Sequence, residues 1–184
     1  MKLRKFFVVF LFVISLIFCA CLKEVEENPN HLRNSSSKKE NKIEVKKIGE
    51  SELQQRIENR NGKILFINVW ATWCVPCVEE FPDIVKIANE YKNKDVEFLS
   101  LSVDFESQID STVIPFLKKL NVNFPVLLIN EKESEKIIDL LNRNWSGAIP
   151  ATFIYDKQGA QKVFLSGAQK FISFKEKIDS VYNL

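Results

Sequence analysis

Histidine is nearly absent from this chain, with a single residue, His31, in 184. Cysteine is scarce as well: the four are Cys19, Cys21, Cys74 and Cys77. A structural zinc takes four nitrogen or sulfur ligands. No other cysteine or histidine accompanies Cys74 and Cys77 in the folded part, so a metal centre is not expected. Excess charge is missing too. The formal net charge is +2, and an export segment ending at residue 20 would remove Lys2, Arg4 and Lys5 and no acid. That leaves about 23 basic against 24 acidic groups. No basic face is advertised, and nucleic acid is not an expected partner. No internal repeat is evident.

The long apolar run that the chain does have stands at its start. "MKLRK" is basic, and "FFVVFLFVISLIF" (Phe6 to Phe18) is apolar apart from Ser15. "CAC" follows. A charged region, an apolar region and small residues make the layout of an export signal. Cys21, preceded by Ala20, resembles the lipobox cysteine of bacterial lipoproteins, which is acylated after cleavage, although Phe18 stands where Leu is usual. An uncleaved anchor is the alternative, because the run stretched to Leu22 reaches about 17 residues, the lower end of the spanning range. Either way the domain is expected in the cell envelope, tethered to a membrane and facing the extracytoplasmic or periplasmic side. The organisation expected is residues 1–20 as signal peptide, 21–42 as lipidated Cys21 and flexible tether, and 43–184 as the folded domain. The segment "KEVEENPNHLRNSSSKKENK" carries almost no large apolar residue, as a tether should. His31 lies in it and reads as an exposed linker residue.

Beyond residue 42 the hydrophobic pattern alternates between strands and helices. "IEVKKI" reads as a short edge strand, and "SELQQRIENRNG" as a helix capped by Ser51 and ended by Asn61-Gly62. "KILFINVWA" is a continuous apolar run, expected of a strand covered on both faces. From Pro76 to Lys92 a helix places Phe81, Ile84, Ile87, Ala88 and Tyr91 on one stripe and Glu79, Asp83, Lys86 and Glu90 opposite; Pro82 should kink it. "VEFLSLSVD" is a second core strand, and "ESQIDSTVIPFLKKL" a helix kinked or started late by Pro115. "FPVLLIN" and "EKESEKIIDLLNR" suggest a strand and a short helix. "ATFIYD", "KQG" and "QKVFLS" form a hairpin, and "AQKFISFKEKIDSVYNL" a closing amphipathic helix. The order implies an α/β domain with a sheet covered on both faces.

The pair Cys74-Val75-Pro76-Cys77 sits where a buried strand turns into a helix. A helix start offers unpaired N–H groups and a positive dipole end, which favour a thiolate at Cys74. The thiolate is the attacking species in disulfide exchange, and Cys77, one turn on, can close upon the mixed disulfide. Pro76 fits the first helical turn, where it loses no hydrogen bond. A structural staple is the weaker reading, since so short a loop constrains the unfolded chain little. Glu80 falls on the apolar stripe, where lost hydration raises a carboxyl pKa and suits it to accept the Cys77 proton; the alternative is a Glu80 turned out to solvent or paired with lysine. Trp73 adjoins Cys74 as contact surface. Trp70 reads as packing, and Trp145 as either groove lining or packing.

"FINVWATWCVPCVEEFPDI" with "GAIPATFIYDKQG" resembles the membrane-tethered thioredoxin-like proteins of the TlpA/ResA type. The resemblance spans about Ile43 to Leu184. It implies a thioredoxin-like fold: a central mixed sheet flanked by helices, with an N-terminal βα extension and an insertion, about Val122 to Asn144, before the final β-hairpin. It implies thiol–disulfide exchange outside the cytoplasm, often on apocytochrome c or other secreted thiols and disulfides. No cofactor is implied beyond the Cys74–Cys77 couple, and the electron donor would be a membrane thiol transporter. Thioredoxins carry an Asp six residues before the first cysteine; Asn68 stands there and cannot take a proton, whereas the family uses the Glu80 position. By the same resemblance Ile149–Pro150 should be cis and face the cysteines. Substrate contact is thus expected from Trp73, Pro76, Ile149 and Pro150. Peroxidase cousins of the fold place a Thr three residues before the reactive cysteine; here Thr72 is two before Cys74 and reads as a turn residue. Two other readings stay open: an oxidase or isomerase running the same residues in the opposite direction, and a non-catalytic metal- or client-binding lipoprotein.

Overall fold

The computed structural model describes residues 43–183. The signal segment 1–20, Cys21, the tether to residue 42 with His31, and Leu184 lie outside the described residues. The elements run β1 (Lys46–Ile48), α1 (Glu50–Glu58), β2 (Ile64–Trp70), α2 (Val75–Glu90), β3 (Val96–Ser102), α3 (Ile114–Lys119), β4 (Val126–Ile129), α4 (Ser134–Leu141), β5 (Ala151–Tyr155), β6 (Gln161–Ser166) and α5 (Phe171–Tyr182). They build one six-stranded sheet in the order β1-β4-β3-β2-β5-β6. The first four strands of that order are parallel, and β5 runs antiparallel to both its neighbours, β2 and β6. This is the mixed thioredoxin-like architecture, with β1 and α1 as the N-terminal extension and β4 and α4 as the insertion. β4 wedges between β1 and β3.

β2 is buried along its entire length, because helices cover both faces. On one face Ile64, Phe66 and Trp70 pack with Phe81, Ile84 and Ile87 of α2, Leu117 of α3, and Phe174 and Ile178 of α5. On the other, Leu65, Ile67 and Val69 meet Leu53 and Ile57 of α1 and Ile137 and Leu141 of α4. Each face holds aromatic pairs, such as Trp70 with Phe81 at 4.3 Å and Phe153 with Phe164 at 5.1 Å between ring centroids. Aromatic pairs in offset or edge contact add to the area they bury.

Two boundaries depart from the sequence reading, and a third follows its alternative of a late helix start at Pro115. α1 is capped from Gly49, not Ser51, and Ser51 lies inside the helix. The cap is tertiary: a Glu133 carboxylate oxygen accepts from the Glu50 N–H at 2.9 Å, and its oxygens sit 2.9 and 3.0 Å from where a Cβ on Gly49 would stand. α1 also ends at Glu58; Asn61 and Gly62, with φ of 50° and 75°, form the separate left-handed turn into β2. The segment after β3 is not one helix. It passes through a 3₁₀ turn (Glu106–Gln108) and a π-helical turn (Ile109–Val113) before α3 begins at Ile114. Pro115 has no N–H for a bond one turn back and its ring crowds the carbonyl there, so regular α geometry starts only at the proline.

Candidate functional site

β2 ends at Trp70, and the chain turns through Ala71, Thr72 and Trp73 to reach α2. The turn is held from β3. Asp104, buried at the end of that strand, accepts from the Thr72 backbone N–H at 3.0 Å, from the Thr72 hydroxyl, and from the Ser102 hydroxyl at 2.7 Å. Thr72 is therefore a turn residue committed to Asp104. Sequence reading passed over Asp104, whose one legible mark is an acid at the end of a buried strand.

Cys74 is the N-cap of α2 in extended geometry, and Pro76 occupies its first turn. Cys74 and Cys77 are joined by a disulfide of 2.05 Å. The Cys77 N–H points at the Cys74 sulfur, 3.3 Å away, the kind of contact that steadies a negative sulfur at a helix start. No acidic residue stands in the first turn of α2 to oppose it. Cys74 and Cys77 are both buried, Cys77 the more completely, at 1% exposure against 7%. Trp73, Val75 and Phe105 are exposed at this end of the fold and Pro76 is exposed beside them. Apolar groups left in water around a reactive sulfur suit contact with another polypeptide.

The opposite wall comes from the segment entering β5. The Ile149–Pro150 bond is cis, and the Ile149 carbonyl oxygen lies 3.9 Å from the Cys74 sulfur. The Pro150 carbonyl is held by the Gly167 N–H at 2.9 Å. Trp145 is buried against Phe153 with ring centroids 5.2 Å apart, and its indole N–H donates to the Ala148 carbonyl at 2.8 Å. It packs in the core and braces the strand entry.

Glu80 follows Cys77 by one helical turn and is 1% exposed. It is turned in, toward the sheet, while Glu79 is exposed. The Asn68 side-chain amide donates to one carboxyl oxygen at 2.9 Å, and the Gln169 backbone N–H donates to the other. Burial dominates and pushes the pKa up to about 7, while the Gln169 and Asn68 donors hold it from rising further. Asp83 adds to the rise and Lys170 opposes it. The carboxyl thus changes charge near neutral pH, on a residue one helical turn from Cys77. Among the described residues no group of three or more His, Cys, Asp or Glu side chains gathers in metal-binding geometry.

Comparison with known proteins finds relatives of one chemical kind. The sequence model of the AhpC/TSA family matches residues 38–162. The thiol-disulfide oxidoreductase ResA of Geobacillus thermodenitrificans is 28% identical over 128 residues, covering 70% of this chain and 68% of that protein. The ResA of Bacillus thuringiensis subsp. konkukian is 30% identical over 138 residues, covering 71% and 75%. Among solved structures, a thiol:disulfide interchange protein from Chlorobium tepidum superposes with a TM-score of 0.57 at 23% identity, over 66% of this chain and 81% of that one, a likeness of fold.

Proposed function

This chain belongs to the AhpC/TSA family and is a thiol–disulfide oxidoreductase, and from that premise we propose that it reduces disulfides of secreted proteins outside the cytoplasm, apocytochrome c among them. The observation that carries the reading is the Cys74–Cys77 disulfide at the head of α2, with the buried carboxyl of Glu80 one turn below.

In the reduced protein the Cys74 thiolate attacks one sulfur of a client disulfide. A mixed disulfide forms and one client thiolate leaves. Cys77 gives its proton to the Glu80 carboxylate and attacks the Cys74 sulfur. The second client thiolate departs, and the Cys74–Cys77 bond closes. Two electrons have passed to the client, and Glu80 returns its proton to the departing thiolate or to water. The client chain lies against Trp73 and Pro76 on one side. On the other, the main chain at the half-buried Ile149, next to Pro150, pairs with it as an added strand. A membrane thiol donor restores the dithiol, and Cys21 carries the lipid that keeps the protein at the membrane.

The test is to trap clients with Cys77→Ala, which leaves Cys74 bound to whatever it attacks. Secreted proteins should accumulate as mixed disulfides, those with a Cys-x-x-Cys-His haem-attachment segment among them. If no haem-attachment protein is trapped, the apocytochrome assignment fails, and if nothing is trapped the division of labour between the sulfurs fails. The direction is read from the reduction potential. A value near thioredoxin's, about −270 mV, fits a reductant, and one near about −120 mV an oxidant.

A further inference from the structure

The sheet face beneath α2 is mostly apolar, and apart from Ser102, which is hydrogen-bonded to Asp104, its buried polar side chains form one row. Ser100, Asn68 and Thr152 stand in register across β3, β2 and β5, all three buried. Glu80 reaches into this row from α2. Asn68 Nδ2 donates both to Glu80 at 2.9 Å and to the Thr152 hydroxyl oxygen at 3.2 Å. Two atoms of the row, Asn68 Oδ1 and the Ser100 hydroxyl oxygen, have no hydrogen-bond partner. A buried polar atom without a partner is destabilising, and an apolar side chain of Asn68's size would avoid that. What an apolar residue lacks is the two-sided chemistry of an amide, which offers a donor on one side and an acceptor on the other.

We propose that Asn68 is a positioning residue for Glu80 that pairs with both of its protonation states, donating through Nδ2 to the carboxylate and, after a half-turn of the amide, accepting through Oδ1 from the acid. The proposal rests on the reading of Glu80 as proton acceptor for Cys77. When Cys77 hands over its proton, the carboxyl gains an O–H that has nothing to donate to if Nδ2 still faces it. The half-turn brings Oδ1 to that O–H and to the Thr152 hydroxyl, which can also donate. It carries Nδ2 to the side of the amide where Oδ1 had no partner, in the row that ends in the Ser100 hydroxyl, an acceptor. The acid and the base are then both held in place between Asn68 and the Gln169 N–H. An aspartate at position 68 could not serve the charged state, because two carboxylates at this separation cannot both ionise readily.

The charged groups facing Glu80 are Asp83 on its own helix and Lys170 ahead of α5. The sheet contributes Asn68 and Thr152, both uncharged. Asp104, the other buried acid at this end, is turned to Thr72 and Ser102. Asp83 and Lys170 are unchanged in the variants below, so they offset every titration alike.

The experiment follows the Glu80 carboxyl carbon and the Asn68 side-chain amide by NMR through a pH titration of the oxidised protein, with Asn68→Leu and Asn68→Asp beside it. In the unaltered protein both signals should move with one shared midpoint. Asn68→Leu removes the partner of both states; the charge-assisted bond to the carboxylate is the stronger of the two, so the Glu80 midpoint should still rise, by less than the loss of a carboxylate donor alone would give, and Asn68→Asp should raise it further. In a Glu80→Gln background, Asn68→Leu should leave the pH profile of insulin reduction where Glu80→Gln put it. If the carboxyl titrates near neutrality while the amide signals stay still and Asn68→Leu leaves the midpoint in place, the Asn68 role is overturned and the Glu80 reading survives. If the carboxyl titrates in the ordinary glutamate range, the Glu80 reading fails and takes this one with it. Should Asn68→Leu not fold, the amide titration of the unaltered protein and Asn68→Asp decide the matter alone.

Discussion

Replacing Glu80 by Gln should change how stability depends on pH, not merely its level. In the oxidised protein burial lifts this carboxyl from 4.5 to about 7. Between those values the native state keeps a proton that the unfolded chain has released. Native protein then binds more protons than unfolded, and stability falls as pH rises. The contribution is complete below about pH 4.5 and is lost as pH rises through about 7. At about 1.4 kcal/mol per pH unit, a shift of this size amounts to about 3 kcal/mol, on the order of a quarter to a half of a domain's stability. Glutamine is neutral throughout and keeps the hydrogen-bonding shape of the acid, so Glu80→Gln should not show this fall. Urea unfolding of both proteins in oxidised form, at steps from pH 4 to pH 9, checks it. Other titrating groups are common to both and cancel in the difference. The gap in unfolding free energy should widen by about 3 kcal/mol in favour of the variant across that range. Parallel curves would refute the reasoning, because they would mean that the buried environment does not favour the neutral acid.

Two further outcomes test the frame that carries the site. Asp104→Ala removes the acceptor of three donors from Thr72 and Ser102 and should cost about 3 kcal/mol in urea unfolding, with Asp104→Asn retaining part of it. Gly159 turns the β5–β6 hairpin with φ of +84°, and a Cβ there would stand 2.7 Å from the Ile57 carbonyl oxygen. Gly159→Ala should therefore lower the thermal midpoint by several degrees, since both the backbone angle and the space oppose it.

What the sequence made legible divides along the range of the interactions. β2, β3 and β5 announce themselves because burial on two faces gives unbroken apolar runs, β6 because a turn joins it to β5 as a hairpin, and α2 because burial on one side gives a helical stripe. The same stripe turned Glu80 inward ahead of any coordinates, and the step from strand to helix placed Cys74 at a helix start. What stayed hidden depends on partners distant in the chain. The cap of α1 is supplied by Glu133, far along in the insertion, so Ser51 looked like the better local choice. The turn before Cys74 is tied by Asp104, and the Glu80 carboxyl is met by a backbone N–H of Gln169, a group that no side-chain pattern advertises. Asn68 was visible as the residue that replaces thioredoxin's aspartate. Its place beside Glu80 emerges only when β2 and α2 are packed together.

The account depends on Cys74 being the sulfur that attacks, and its reactivity is the direct measure of that. Alkylation of the reduced protein by iodoacetamide, followed at Cys74 across pH, should give a midpoint well below the value of about 8.5 for a free cysteine, as a thiolate at a helix start requires. A midpoint at or above that value would contradict it.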